Sequence, residues 1–348
     1  MATARDFQNP YQLTDLTSEI QLIPNTWGLV TQMGLYSDIG VSTNTVTLDK
    51  VNNTLTLLGD SRRGTRHNTE GANESVETYA FSIPHFQIHD RIEPKDLQGR
   101  RRPGTDNEAD TLAMARMRKL ERMQKQIGIT KEYLAVQGIK GNLVTPNGNT
   151  VANYYTSFGV SQKSVDFVLG TATTKVGDKI EEVIAHIQDN ILSGDIVNDI
   201  VVLCSPTFFQ KLVTHAKVES AYQFYMNTNQ GSGVQVLRDR LGSGLYRSFS
   251  HQGLVFIEYR GSFTKQDGTV EALIEADTAY AVPLDVSDLF EAYNGPADHL
   301  DFVNTLGESM YSWEYQDPRG FGYDIFAEFN TLHLNRMPQA VVKCVTSN

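Results

Sequence analysis

Cysteine is nearly missing from this 348-residue chain: the two present, Cys204 and Cys344, each stand among apolar, strand-forming neighbours. Two thiols cannot staple a fold of this length, so burial must hold it together, and both read as small buried hydrophobes of a reducing cytosol. No run of about 18 apolar residues occurs, which argues against a membrane-spanning helix. The opening Met-Ala-Thr-Ala-Arg-Asp-Phe lacks the charged-then-apolar plan of a secretory signal, so the chain is expected to stay where it is made. The sequons at Asn52 and Asn73 then carry no meaning. Catalytic signatures are absent as well: there is no G-x-S-x-G, H-E-x-x-H, Walker A or C-x-x-C string. Basic residues are outnumbered 30 to 41, and the resulting net charge of −11 opposes a tight nucleic-acid wrapper while allowing DNA as a neighbour. What remains is the composition of an ordinary globular protein, long enough for roughly two domains.

Against this acidic background one stretch stands out. Residues 95–125 hold nine Lys or Arg against five acids, a local charge of +4 that leaves −15 for the rest of the chain. After Arg100, the string Arg101-Arg102-Pro103-Gly104 is a loop with a turn signal. Thr105 or Asp106 can cap a helix, with Glu108 and Asp110 in its first turn. The residues beyond are strong helix formers, and the spacing predicts a helix from about 106 to Gln137, ending before Gly138. Leu112, Met117, Leu120, Met123 and Ile127 give it only a narrow apolar stripe. Such a helix reads as a strut on a surface, with one side wet or facing a partner.

Ahead of it, residues 1–40 show no sustained period and read as an arm, with "LIPNTWGLV" around Trp27 as a short adhesive stretch. From Thr43 the pattern alternates with period two, passes through the apolar-poor "DSRRGTRHNTEGANES" with Arg62, Arg63 and Arg66, and returns to strand in "VETYAFSIPHFQIHDRI". Together these predict a long β-ribbon with a basic tip and too few apolar residues to hold it against a large core. A two-stranded ribbon is marginal alone in water, so it should finish its packing on another molecule.

Past the helix, Pro146-Asn147-Gly148 marks a hairpin. A second compact region follows: an amphipathic helix over Val176–Leu192, a buried strand over Asp199–Ser205, and a helix from Pro206 to about Lys217. Gly231–Gly244 is a Gly/Ser-punctuated loop, and further strands run to the closing "QAVVKCVT". No repeat or low-complexity tract is visible.

Few residues suggest chemistry. "GSGVQV" lacks the third glycine of a dinucleotide loop. His85 and His89 lie on an extended segment with no acid or cysteine cluster to complete a metal site. Glu271, Glu275 and Asp277 flank a hairpin turn at Asp267-Gly268 and read as solvated acids, not a paired acid and base. Neither arginine cluster has the interleaved aromatics of a single-strand binder, so partner carboxylates are their expected contacts. No catalytic, cofactor or metal residue is assigned. The chain is rich in surfaces that need partners, as an assembly subunit is.

Ordered strings carry a resemblance. "LIPNTWG", "FSIPHFQIHDRIEPKDLQGRR", "KEYLAVQGIKGNLV", "YAVPLDVSDLFEAYNGPADHLDFVNTLG" and "GFGYDIFAEFNTLHLNRMPQAVV" together resemble the lambda-type major head (capsid protein E) family of tailed-bacteriophage coat proteins, over nearly the whole length. The resemblance implies an α+β HK97-like phage capsid fold, divided into an N-terminal arm (1–42), an extended β-ribbon E-loop (43–92), a peripheral domain with the spine helix (93–165; helix about 106–137), an axial domain (166–284) and a return to the peripheral domain by C-terminal β strands (285–348). It implies self-assembly into hexamers and pentamers of an icosahedral virion shell around double-stranded DNA, made in the bacterial host cytoplasm, with portal, scaffold and a decoration protein as further partners and no membrane. Trp27, Arg62, Arg63, Arg66, Arg100, Arg101, Arg102, Arg116, Lys119 and Arg122 are the expected inter-subunit contacts. Some coat proteins of this fold crosslink through Lys and Asn; Lys50 and Asn53 lie on the ribbon, but no acidic catalyst is identified beside them and no crosslink is expected. The alternatives are an encapsulin-like compartment shell and an enzyme with an unrecognised site between Val176 and Leu284.

Overall fold

A computed structural model of the chain describes residues 14–15, 28–52, 75–98, 112–191, 197, 199–220, 247–265 and 268–348. In chain order the described elements begin with β1 (Thr14–Asp15), α1 (Leu29–Met33), β2 (Ser37–Gly40), β3 (Thr45–Asn52), β4 (Ser75–Ser82), β5 (His85–Ile92) and α2 (Pro94–Leu97). The long helix α3 (Leu112–Lys140) leads to the hairpin β6 (Asn142–Val144) and β7 (Thr150–Asn153), then α4 (Tyr154–Ser157) and β8 (Ser164–Asp166). Next come α5 (Val176–Asp189), β9 (Ile200–Cys204), α6 (Pro206–Val213), β10 (Ser248–His251), β11 (Leu254–Glu258), β12 (Ser262–Thr264) and β13 (Val270–Ala272). The chain finishes with β14 (Thr278–Pro283), β15 (Phe290–Asn294), β16 (Tyr311–Gln316), β17 (Tyr323–Asn335) and β18 (Val342–Val345).

Two six-stranded sheets organise these elements. The first is built around β17, whose residues Tyr323–Glu328 pair with β16 on one edge and β5 on the other, while Thr331–Asn335 pair with β15. Parallel to β15 runs β2, and β1 extends the sheet from β16. The second sheet has the order β10-β11-β9-β14-β18-β8. Its central strand β9 is buried at every position, because both sheet faces are covered and Ile-Val-Val-Leu-Cys leaves no polar side to expose.

One face of the second sheet packs on α5 and α6. Ile180, Val183 and Ile187 supply the 3.6-residue stripe of α5, while Ser205 caps α6 ahead of Pro206 at its first turn. The opposite face sends Val201, Leu203, Ile257, Tyr280 and Val282 into the core that the first sheet shares with α3. The helix therefore has two characters. Its first half lies on the first sheet with one side in water; in its second half Tyr133, Leu134, Ala135 and Val136 are buried one after another. The surface strut expected from the narrow stripe describes only the first half.

The helix also runs past its expected stop. Gly138 does not end it, because the glycine is needed for close packing: a Cβ there would lie 2.5 Å from Tyr36 Oη and 2.9 Å from the His333 carbonyl oxygen. The stop is Gly141, in the left-handed conformation at φ +76°. Two other expectations change. The ribbon ends at Ser82, and the following residues join the first sheet as β5 instead of prolonging a free hairpin. The last strand β18 lies in the second sheet between β14 and β8, not with the preceding C-terminal strands of the first. Cys204 and Cys344 are free thiols buried on the two strands flanking β14, both opposite Ala279, and burial pushes both thiols up.

Candidate assembly surfaces

The ribbon is a two-stranded ladder, Thr45 opposite Ser82 through Asn52 opposite Ser75, with both outer edges unpaired among the described residues. Its root is held more firmly than its sparse apolar pattern suggests. Val46 and Phe81 are buried, and Phe81 meets Tyr154 and Phe158 at ring separations of 5.7 and 6.0 Å, with Tyr79 at 5.2 Å from Phe158. The short α4, capped by Asn153, is the shelf on which the ribbon stands. Its expected basic tip with Arg62, Arg63 and Arg66 lies outside the described residues, as do Trp27, Asn53, Arg100, Arg101, Arg102 and the Gly231–Gly244 loop.

Of the basic residues expected to face a neighbour from α3, two are used at home. Arg116 is buried and donates to Glu314 Oε1 at 2.6 Å, and Lys119 binds Asp90 at 2.6 Å and the Arg91 carbonyl oxygen at 2.8 Å. Both partners project from the same face of the first sheet, Glu314 from β16 and Asp90 from β5. These pairs fasten the helix to its own sheet. Arg122 does face outward, with Met117, Glu121 and Lys125 also exposed.

The opposite face of that sheet carries Tyr311, Trp313, Tyr315 and Phe326, as strand alternation requires. Residues 296–309 cross over it. Ala297 is buried there; His299 stands 5.2 Å from Trp313 and Phe302 4.9 Å from Tyr311, ring to ring. Tyr315 and His299 also hydrogen-bond at 2.9 Å. At the far end Gly307 donates to the Val41 carbonyl and presses so close to Asn294 that a Cβ would sit 2.0 Å from its carbonyl oxygen. A loop seated this well nevertheless leaves Leu300, Val303 and Leu306 exposed at 90, 56 and 70%. Sequence reasoning did not single these residues out, although their spacing of three within a segment lacking strand alternation was a readable signal.

Glu132 was also missed. Fully buried in α3, its carboxylate accepts the Val30 and Thr31 amides at 2.9 Å each, the Thr31 hydroxyl at 2.6 Å and the Tyr259 hydroxyl at 2.6 Å. One side chain thus ties the long helix to the start of the described N-terminal region and to the end of β11. Gly28 is required beside it, at φ +90° and with no room for a Cβ.

A recess of about 660 Å³ beside α3 is lined by Lys131, His333, Tyr36 and Asp38. Lys131 donates to the Ser309 carbonyl at 2.6 Å, and burial lowers its pKa to about 8. His333 is held neutral, its pKa brought down to about 3 by burial and by Lys131. No cluster of three metal-ligating side chains occurs among the described residues. His85 and His89 serve different acids, Glu328 and Asp324. The acids Glu271, Glu275 and Asp277 each meet a lysine, respectively Lys265, Lys140 and Lys211.

The profile of the family described as "Phage major capsid protein E" matches residues 12–346. Two relatives bear the name "Major capsid protein": that of Pseudomonas phage KPP10 is 37% identical over 347 residues, 97% of each chain, and that of Salmonella phage Felix O1 is 31% identical over 350 residues, 95% of each. Among solved structures, a putative capsid protein of a prophage of E. coli CFT073 superposes with a TM-score of 0.59 at 12% identity, covering 97% of this chain and 100% of the other. The mature capsid of bacteriophage PhiM1 superposes with a TM-score of 0.52 at 12% identity, covering 90% of this chain and 85% of that one.

Proposed function

The chain belongs to the phage major capsid protein E family, and we propose that copies of it close as hexamers and pentamers into the icosahedral head of a tailed bacteriophage. It is a major capsid protein of the HK97-like fold, a structural subunit and not an enzyme. Relatives at 37 and 31% identity are both phage coat proteins, which sets aside the compartment-shell reading.

The observation that carries the assembly reading is the ribbon. Its two strands stand out from a small aromatic shelf with both edges unpaired among the described residues, a geometry that favours packing on another molecule. In this reading the ribbon is the E-loop lying over a neighbour, and Arg62, Arg63 and Arg66 meet its carboxylates. Arg100, Arg101 and Arg102 with Arg122 form a second basic contact, and Trp27 anchors the arm. The unit built on the second sheet is the axial domain, directed at the capsomer centre. Portal, scaffold and a decoration protein are the further partners, packaged double-stranded DNA is a non-specific neighbour to a subunit of net charge −11, and synthesis is in the host cytoplasm. No Lys–Asn crosslink joins the mature subunits.

Sedimentation and negative-stain imaging of the purified chain under assembly conditions, with scaffold where required, test this. Capsomers or closed shells are expected, and mature particles should give one band near the monomer mass on denaturing gels. Persistence as a small, compact oligomer would overturn the reading.

A further inference from the structure

The segment 296–309 contains Asp298, Asp301 and Glu308 and no Lys or Arg, and it exposes Leu300, Val303 and Leu306. It is held from beneath by ring contacts of His299 and Phe302 and at its end by Gly307, so its apolar side chains are presented on a fixed base. Three large aliphatics set toward water within seven residues need a cover. On the far side of the same sheet, the outer surface of α3 shows the complementary chemistry. Met117 is 43% exposed there, with Arg122 and Lys125 exposed one and two turns further along and outnumbering the one exposed acid on that stretch, Glu121. Opposite sides of one sheet cannot touch within one copy.

We propose that the 296–309 loop of one copy docks on the outer face of the first half of α3 of the next, Leu300 against Met117 and Asp301 toward Arg122 and Lys125. The occupant of the apolar patch is thus a second copy of this chain, and the inference rests on the self-assembly reading above. The contact joins two different surfaces, so it is head-to-tail. A contact of that kind continues from copy to copy until it closes a ring, which suits a shell built of one subunit. The apolar pair supplies burial, while the opposed charges set register and reject a copy docked the wrong way. This gives the basic helix face the acidic partner that its own sheet does not provide, since Arg116 and Lys119 have already taken the acids on the inner side.

The test uses the full chain carrying Leu300→Cys and Met117→Cys together, treated with a short bismaleimide before and after assembly. Wild type serves as the control, its two thiols being buried. Assembled particles should yield a ladder of linked chains and the unassembled chain none. In parallel, Arg122→Glu with Lys125→Glu should lower particle yield about tenfold, as expected when attractive pairs turn repulsive, and Asp301→Lys should restore part of it. Circular dichroism of the unassembled variants must match wild type. Particles that form normally yet give no ladder, with unchanged yield after charge reversal, would overturn this contact while leaving self-assembly intact. Failure of the wild-type chain to form any particle would overturn the self-assembly reading instead, and this contact with it.

Discussion

Arg116 and Glu314 face each other at 2.6 Å in the seam between the long helix and the first sheet, both almost wholly out of water. A buried pair of this kind contributes little when compared with apolar residues of the same size, but losing Arg116 takes a charged donor away from a carboxylate that stays buried. Arg116→Met should cost about 3–5 kcal/mol. Arg116→Met with Glu314→Leu should recover most of that. Urea midpoints of the unassembled chain measure both, and Arg116 variants are expected to fail in folding before they fail in assembly.

Glu132 receives four hydrogen bonds from three residues, so Glu132→Ala leaves buried donors without an acceptor and should cost at least about 3 kcal/mol. Gly28→Ala should loosen the same place, because the new methyl would collide with the Glu132 carboxylate and φ is +90°. The double variant should cost less than the two singles added together, since the collision needs the carboxylate. Hydrogen exchange over residues 28–34 should rise in all three.

Alanine for glycine within a helix ordinarily stabilises by about 1 kcal/mol. At Gly138 the sign should reverse, because the added Cβ would meet Tyr36 Oη and the His333 carbonyl. A lowered melting temperature for Gly138→Ala is expected, accompanied by loss of the Tyr36 hydroxyl bond to Ala135.

Burial lowers the pKa of Lys131 from 10.5 to about 8, so between those values the unfolded chain binds the proton that the folded chain has released. Stability then rises with pH through that window. Buried tyrosines act in the other direction above pH 10, since burial keeps Tyr36 and Tyr154 protonated in the fold. The buried thiols of Cys204 and Cys344 oppose this gain in the same window, because the unfolded chain ionises them first, so the Lys131 contribution is read as a difference: urea midpoints of Lys131→Met should fall more steeply than those of wild type between about pH 8 and 9.5.

Much of this architecture is written in local pattern. The 3.6-residue stripe of α5, the unbroken apolar run of β9 and the Pro146-Asn147-Gly148 hairpin are each fixed by residues near in sequence, and each lies where expected. What escaped was set by distant partners. Gly138 looked like a stop because nothing nearby in sequence says that Tyr36 will press against it. Arg116 looked like a surface charge because its acid lies 198 residues away, and the role of Lys119 was hidden because Asp90, 29 residues earlier, comes beside it only when β5 joins the first sheet. Assignment of β18 to the second sheet depends on pairing with β8, which no periodicity can reveal. The loop over Trp313 was overlooked for a different reason: its importance lies in what it leaves uncovered.

Placing β18 beside β8 means that Ser164 waits for Lys343 before its strand gains that neighbour. On a ribosome the ribbon, α3 and the 296–309 loop are all translated while the second sheet still lacks an interior strand. A nascent chain therefore displays adhesive parts ahead of a finished body, and polysomes crowded with siblings are where premature sticking would begin.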